Sequence, residues 1–426
     1  MATEHAITGV TTLQVLDSRG NPTVAAIVET DLGRGMAIAP AGASAGSHEA
    51  VFVRDNGPHY EGRSVSAHLE RVGERVQAAL MTKDADDPAA VDSALRQLDA
   101  DPQLRDIGGH VGTAVSLAAW LAASAGSGRE PWQAIRDYTG ATAQLPMPMV
   151  NIISGGAHAG GLIDIQDILA VPIGAGSFAE AIEWCWRTRR GTQLVLEDMG
   201  YQTSLIADEG GLAAPFARDE DALAAVVAGI ARAGLEPGAD VSLAIDVAAT
   251  QFVIPGGYAM GGGQASAAEV VARLTQWRAA YPLVSIEDGV GEDDDDGWSL
   301  QSDLCARTQV LGDDRYASRH ARLTTGIARG EANAVLIKPN QAGTLHEALR
   351  TILEARANSW ATVVSARSGE TEETWLSDLA TGSGAGQIKV GSTMRSERTA
   401  KWNRLLLLEH ESGLPYAGPS LLAPIS

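Results

Sequence analysis

The second half of the chain carries a series of short apolar runs, each closed by a charged residue. They read Leu243-Ala-Ile-Asp246, Leu283-Val-Ser-Ile-Glu287, Val310-Leu-Gly-Asp313, Ala334-Val-Leu-Ile-Lys338 and Gln387-Ile-Lys389. A short, continuously apolar run is the pattern of a strand buried on both faces, and a charge at its end is costly unless that end is a site. The charges stand 41, 26, 25 and 51 residues apart. Such spacings suit one strand, one helix and two loops, with the longest gap holding an extra unit. In a (β/α) barrel the strand ends converge on one face, and that face carries chemistry. The series therefore predicts three carboxylates and two lysines around one mouth. Three carboxylates suit a hard cation such as Mg2+. Lysines beside a divalent cation suit proton abstraction and anion binding.

A barrel takes roughly 250 residues, so a chain of 426 leaves room for one further domain. The net charge of −21 argues against nucleic acid or an anionic membrane as partner. It also requires local positive charge to draw any anionic substrate. Cys185 and Cys305 offer no disulfide framework and fit a reducing cytosol. No signal peptide and no membrane-length apolar run is visible, so a cytoplasmic location is expected. Only four lysines occur, Lys83, Lys338, Lys389 and Lys401, and arginine carries most of the positive charge. A coding bias accounts for that scarcity. Two of the four nevertheless end barrel-like strands, and lysine, unlike arginine, can lose its proton when buried near cations.

Residues 1–138 are expected to form a separate α+β unit, and residues 139–426 the barrel. Thr8–Gln14 and Thr23–Thr30 alternate as two antiparallel strands, joined by a turn rich in glycine and proline. Ala39-Pro-Ala-Gly-Ala-Ser-Ala-Gly46 is a small-residue loop suited to a lid. Helices are expected at Pro88–Ala100 and Gly112–Ala123. Beyond Pro146, Met149–Ile153 and Ile168–Pro172 are adjacent apolar runs joined by a Gly-rich loop. Further helices are expected at Phe178–Leu196, Asp221–Ala233, Ala267–Ala280, His346–Ala357 and Arg398–His410. The acidic run Glu292–Asp296 reads as a solvated loop. His48 and His110 read as surface or packing residues, and Asp288 and Asp314 as structural.

Seven motifs in order resemble the enolase family and cover nearly the whole chain. They are Asp17-Ser-Arg-Gly-Asn-Pro-Thr-Val24, Ala207-Asp-Glu-Gly-Gly211, Ser285-Ile-Glu-Asp288, Gly312-Asp-Asp314, Leu336-Ile-Lys-Pro-Asn-Gln341, Arg367-Ser-Gly-Glu-Thr371 and Gly386-Gln-Ile-Lys389. The resemblance implies an α/β fold, a (β/α)8 barrel with an N-terminal α+β capping domain. It implies Mg2+-dependent β-elimination of water from a 2-phosphoglycerate-like acid, with two metal sites and a homodimer or higher homo-oligomer. Asp246, Glu287 and Asp313 are similar to the family's ligands for one Mg2+, and Ser44 to the lid serine that helps hold a second. Lys338 resembles the base that takes the α-proton, and Glu209 the acid that protonates the leaving hydroxyl. Lys389 resembles the lysine on the substrate carboxylate, and Arg367 with Ser368 the phosphoryl clamp. His158 matches the family's active-site loop histidine. A neutral lysine base implies a pKa lowered by nearby cations. Enolase-superfamily sites are a known pairing of a Lys base with Mg2+. Taken alone, Arg367 could equally pair with a carboxylate.

Three departures fall inside the site. Ala366 stands where the family has histidine. Gln166-Asp167 stands where the family has Gln-Glu at the end of the second barrel strand. The lid reads Ala41-Gly-Ala-Ser-Ala45, without the flanking hydroxyls. The retained acids and lysines predict retained elimination. The small Ala366 beside Arg367 predicts a substrate with a bulkier or extra-charged phosphoryl end, as in the carboxyphosphonoenolpyruvate synthase branch of phosphinic-acid antibiotic biosynthesis. A plain glycolytic enolase is the alternative, and a non-catalytic binding protein on this scaffold the remote one.

Overall fold

The computed structural model describes residues 5–43 and 45–418. The first part is built on an antiparallel sheet of β1 (Ile7–Leu16), β2 (Pro22–Thr30) and β3 (Arg34–Ile38), in that order. Helix Gly109–Ser127 covers its inner face and is almost wholly buried, as expected of a helix apolar all round. β3 and the helices Ser66–Leu80 and Pro131–Thr139 go beyond the elements expected from periodicity.

β3 lies very close to the covering helix. A Cβ on Gly35 would overlap the Ala118 carbonyl oxygen and the Ala122 amide nitrogen, which are backbone atoms and cannot swing aside. Gly35→Ala should therefore destabilise the fold by about 1–3 kcal/mol or more. Denaturant midpoints measure this, and an unchanged midpoint would contradict the close approach.

The second part is a closed eight-stranded barrel. It opens with β4 (Met147–Ser154), β5 (Asp167–Val171) and β6 (Ser242–Asp246). A small three-stranded sheet of β7 (Val253–Ile254), β8 (Gly257–Met260) and β9 (Gly263–Ala265) lies outside the barrel. β10 (Leu283–Glu287), β11 (Gln309–Gly312), β12 (Ala334–Ile337), β13 (Ala361–Ser365) and β14 (Gly386–Gly391) complete it. Alternate residues of a strand point to opposite sides. Ala244 and Leu336 lie in the interior apolar layer while Ile245 and Ile337 join the outer core. Counting on by two places Asp246 and Lys338 on the interior side at the mouth, and Lys389 follows Gln387 in the same way.

One strand departs from the expected alternation. β5 pairs antiparallel with both β4 and β6, with Asp167 opposite Ser154 and Asp246. Asp167 therefore opens the second barrel strand and does not close it. The reversal brings the start of β5 to the face where its neighbours end.

The two parts meet beside the mouth. Ala41 and Gly369 exchange both backbone hydrogen bonds at 2.8 Å, and the Ala43 N–H donates to Ser368 Oγ at 2.6 Å. The Ser18 N–H donates to the Glu370 carbonyl. No single helix among the described residues is long and apolar enough to cross a membrane.

Candidate active site

A small cavity lies in the barrel mouth, and Asp246, Asp313, Lys338, Lys389, Glu209, His158, Gln166, Ala366, Arg367 and Ser368 line it. Glu287 and Asp167 stand directly behind this wall. Ser44 lies outside the described residues.

The charged groups pair across the mouth. Lys389 Nζ donates to Asp246 Oδ2 and Glu287 Oε2, both at 2.7 Å. Lys338 Nζ is in direct contact with Asp313 Oδ2. The other Asp313 oxygen accepts from Gln341 Nε2 at 2.9 Å. Asp246 also accepts from Gln166 Nε2 at 3.2 Å, and Gln251 Nε2 in turn donates to Gln166 at 2.6 Å. Burial and the Asp246 charge push the Glu287 carboxyl well above its ordinary range. Asp313 is held low, because Lys338 outweighs its burial.

Lys338 differs from the sequence expectation. Burial pulls it down, but the Asp313 carboxylate outweighs that, together with the opposing Arg367 and Lys389 charges, and holds it above the ordinary lysine value. Asp246 and Glu287 hold Lys389 higher still, against its burial.

The expected carboxylate trio is bridged through lysines and is not gathered into one tight cluster. Among the described residues, three ligand atoms lie within 4.8 Å of one another in two other sets, His158–Asp167–Glu209 and Asp288–Asp313–Asp314. The trio still fits a hard divalent cation. Its donors are all carboxylate oxygens. Oxygens of Asp246 and Glu287 already converge on a single positive charge, and the buried Glu287 Oε1 has no partner among the described residues.

The wall formed by β4, β5 and the loops after them carries the other acid. His158 Nδ1 lies 2.9 Å from Asp167 Oδ2, and its Nε2 lies 3.8 Å from Glu209 Oε1. Asn151 and Ser154 both donate to the remaining Asp167 oxygen. Burial opposes the charged imidazole, but Asp167 and Glu209 outweigh it and raise His158 to about 9. Burial would raise the Glu209 carboxyl. The His158, Arg398, Lys389 and Lys338 charges overcome this and hold it low.

Arg367 meets a carboxylate after all. Its Nη1 donates to Glu49 Oε2 at 2.9 Å, and both groups are buried. Glu49 follows the small-residue loop, so this pair joins the two parts of the chain. Ser368 sits beside Arg367, and Arg398 fixes that segment by donating to the Arg367 and Ser368 carbonyls, each at 2.5 Å. Ala366 is buried next to them.

Sequence reasoning missed Glu49, Gln341, Gln251, Asn151 and Arg398. Gln341 sits inside a quoted motif, three residues after Lys338, and that proximity was the available signal. Asp288 serves structure as expected: it accepts the Asp313 and Asp314 N–H groups at 2.9 and 2.8 Å, from a backbone with φ of 42°. Such a conformation is strained for a non-glycine residue and tends to persist at sites. His110 packs as expected, its ring stacked 4.2 Å from Phe52. The acidic run is not simply solvated. Glu292 is buried and accepts the Ser47 N–H, Asp293 meets His48, Asp294 caps helix Asp295–Gln301, and Asp295 binds Arg315 and Arg329.

Comparison with known families agrees with this architecture. Residues 7–135 match the enolase N-terminal domain, and residues 142–424 match the enolase C-terminal TIM barrel domain. The chain belongs to the enolase family.

Proposed function

We propose that this protein is a Mg2+-dependent hydro-lyase that eliminates water from a 2-phosphoglycerate-like acid to give a phosphoenolpyruvate-like enol ester. The observation that carries this reading is the meeting of Asp246, Glu287 and Asp313 with Lys338 and Lys389 at one barrel mouth, with Glu209 in the same cavity. A proton next to an ionised carboxylate is very weakly acidic, because its loss creates a second negative charge on the same carbons. Asp246, Glu287 and Asp313 would hold one Mg2+, and Ser44 would contribute to a second alongside the phosphoryl group. Bound there, Mg2+ would offset the Asp313 charge that keeps Lys338 protonated and would stabilise the charge developing on the substrate carboxylate.

Lys338 then takes the α-proton on Nζ. Lys389 binds the substrate carboxylate through charge-assisted hydrogen bonds. Glu209 delivers a proton to the departing hydroxyl, one it must first take up, because, against its burial, the His158, Arg398 and lysine charges hold its carboxyl low. Gln166 and the Asp167–His158 pair order that side of the cavity. Arg367 and Ser368 hold the phosphoryl oxygens, the guanidinium exchanging Glu49 for substrate. The reading divides the chain into a capping domain, 1–138, and a barrel, 139–426. It places the enzyme in the cytoplasm as a homodimer or higher homo-oligomer, without nucleic acid or membrane partners.

The finer proposal is a specialised paralogue of the carboxyphosphonoenolpyruvate synthase type, acting on a phosphorylated or phosphonylated three-carbon acid with an extra group on phosphorus. Ala366 supports it, because a small side chain beside Arg367 and Ser368 leaves room where the phosphoryl end would sit. The intact acids and lysines equally favour the plain enolase reaction. They count against a non-catalytic scaffold.

Ala366→His separates the two enzymes. The substituted protein should retain 2-phosphoglycerate turnover and lose activity on an analogue carrying a carboxylate on phosphorus. The discrimination should be roughly 10- to 200-fold, as for one misfitting group in a pocket. The measurement is kcat/KM for both substrates with both proteins. A wild type that turns over 2-phosphoglycerate efficiently and ignores the carboxylated analogue would leave a plain enolase.

A further inference from the structure

Arg189 is a buried cation with no counter-charge among the described residues. It lies on helix Phe178–Asp198 and is 7% exposed. Among the described residues no carboxylate is within ion-pair distance of it. Its hydrogen bonds go to neutral groups, from Nε to Ser392 Oγ and from Nη2 to the Gly210 carbonyl, both at 3.1 Å. Burial pulls the guanidinium below its ordinary value. A charge kept from water without a partner is costly, and a surface helix position could be filled more cheaply by an apolar side chain.

Both acceptors adjoin the active site. Gly210 follows Glu209, and Ser392 directly follows the strand that carries Lys389. The Ser392 N–H also donates to the Glu209 carbonyl at 2.9 Å, and a Cβ on Gly391 would stand 2.9 Å from that same oxygen. The segment Ala207–Gly211 has no helix or strand of its own to fix it. Its other ties include the Asp208 N–H to the His158 carbonyl, Arg19 to the Asp208 carboxylate at 3.2 Å, and Arg395 to the Ala207 carbonyl at 3.3 Å. Helix Ser396–Ser412 holds the end of the strand with Lys389 through Arg398 and Trp402, on the Val390 and Ser392 carbonyls. Among the described residues, however, Arg189 is the helix side chain that hydrogen-bonds both that strand end and a backbone carbonyl of the segment with Glu209.

We propose that Arg189 is a positioning residue for Glu209, tying the Gly210 carbonyl to the Ser392 hydroxyl and thereby setting where the Glu209 carboxyl stands relative to Lys389. This rests on the reading of Glu209 as the acid in water loss. Arg189 touches no reacting atom. Its loss displaces the acid and leaves Lys338, on the opposite side of the mouth, in place.

The test compares two rates on one substrate, whichever of 2-phosphoglycerate and its P-carboxylated analogue the wild type turns over faster. One is water loss. The other is exchange of the α-proton in D2O with Mg2+ present, followed by NMR. Arg189→Leu should lower water loss by roughly 10²-fold, the scale of a displacement near 1 Å, with exchange retained. Arg189→Lys, which keeps a donor, should recover part of the loss. A purely structural role would lower both rates by one factor, and that result, or unchanged water loss, overturns the proposal. Should Arg189→Leu not fold, Arg189→Lys and Ser392→Ala must show the same skew. Glu209→Gln, assayed in parallel, separates the failures. If it shows no skew, the acid assignment falls and this inference with it. If it skews and the Arg189 variants do not, Arg189 alone is excluded.

Discussion

Lys338→Ala should abolish exchange of the substrate α-proton with solvent, and Glu209→Gln should preserve that exchange while blocking water loss. Each lost step should fall by roughly 10²–10⁴-fold, the usual worth of a placed proton-transfer group. The two variants separate because only the first step needs a base at the α-carbon and only the second needs an acid at the departing hydroxyl. Deuterium incorporation into recovered substrate reports the first, and product formation reports the second. Equal loss of both activities in both variants, at saturating substrate, would remove the division of roles. The pairing of Lys338 with Asp313 sharpens the expectation. Asp313→Asn removes the charge that holds Lys338 protonated, but it also removes a proposed metal ligand. Exchange should therefore fall and should recover in part at high Mg2+.

Chelation should abolish activity, and added Mg2+ should restore it. The loss should be roughly 10³-fold or more, because the metal's share of the stabilisation is several kcal/mol. Glu287→Gln should weaken Mg2+ binding with the fold retained, and this is measurable by calorimetry without any turnover. The buried Glu287 Oε1 and the two oxygens already gathered on Lys389 motivate that choice. Full activity in excess chelator would end the metal reading.

The barrel was legible because its strands are shielded on both faces. Continuous apolar runs with a closing charge leave few other solutions. Asp246, Glu287, Lys338 and Lys389 were legible for the same reason, since their position at a strand end is itself the signal. The direction of β5 was not. Met147–Ser154 and Asp167–Val171 are short buried runs whichever way they lie, and no residue type marks the reversal. β3 was missed because Arg34-Gly-Met-Ala-Ile38 has little β-branched character and owes its place to close packing against a helix. The Glu49–Arg367 pair joins residues 318 positions apart and leaves no local trace. Arg189 reads in the sequence as one of several helix-surface arginines, and only its burial distinguishes it. The pairing of Lys338 with Asp313 could not be read either, because residue order says nothing of which opposite charges meet.

The contact between Ala41 and Gly369 joins main chain to main chain. Such a joint is indifferent to side-chain identity, so long as a small residue keeps the strands within reach. Divergence at positions 41, 45 and 366 can then proceed without disturbing how the small-residue loop registers against the Arg367–Ser368 segment. That share of the docking rests on peptide groups, beside the Glu49–Arg367 side-chain pair, and is independent of the side chains that choose the substrate. A lineage could therefore pass from one phosphorylated acid to another by single replacements, each intermediate keeping a properly seated loop.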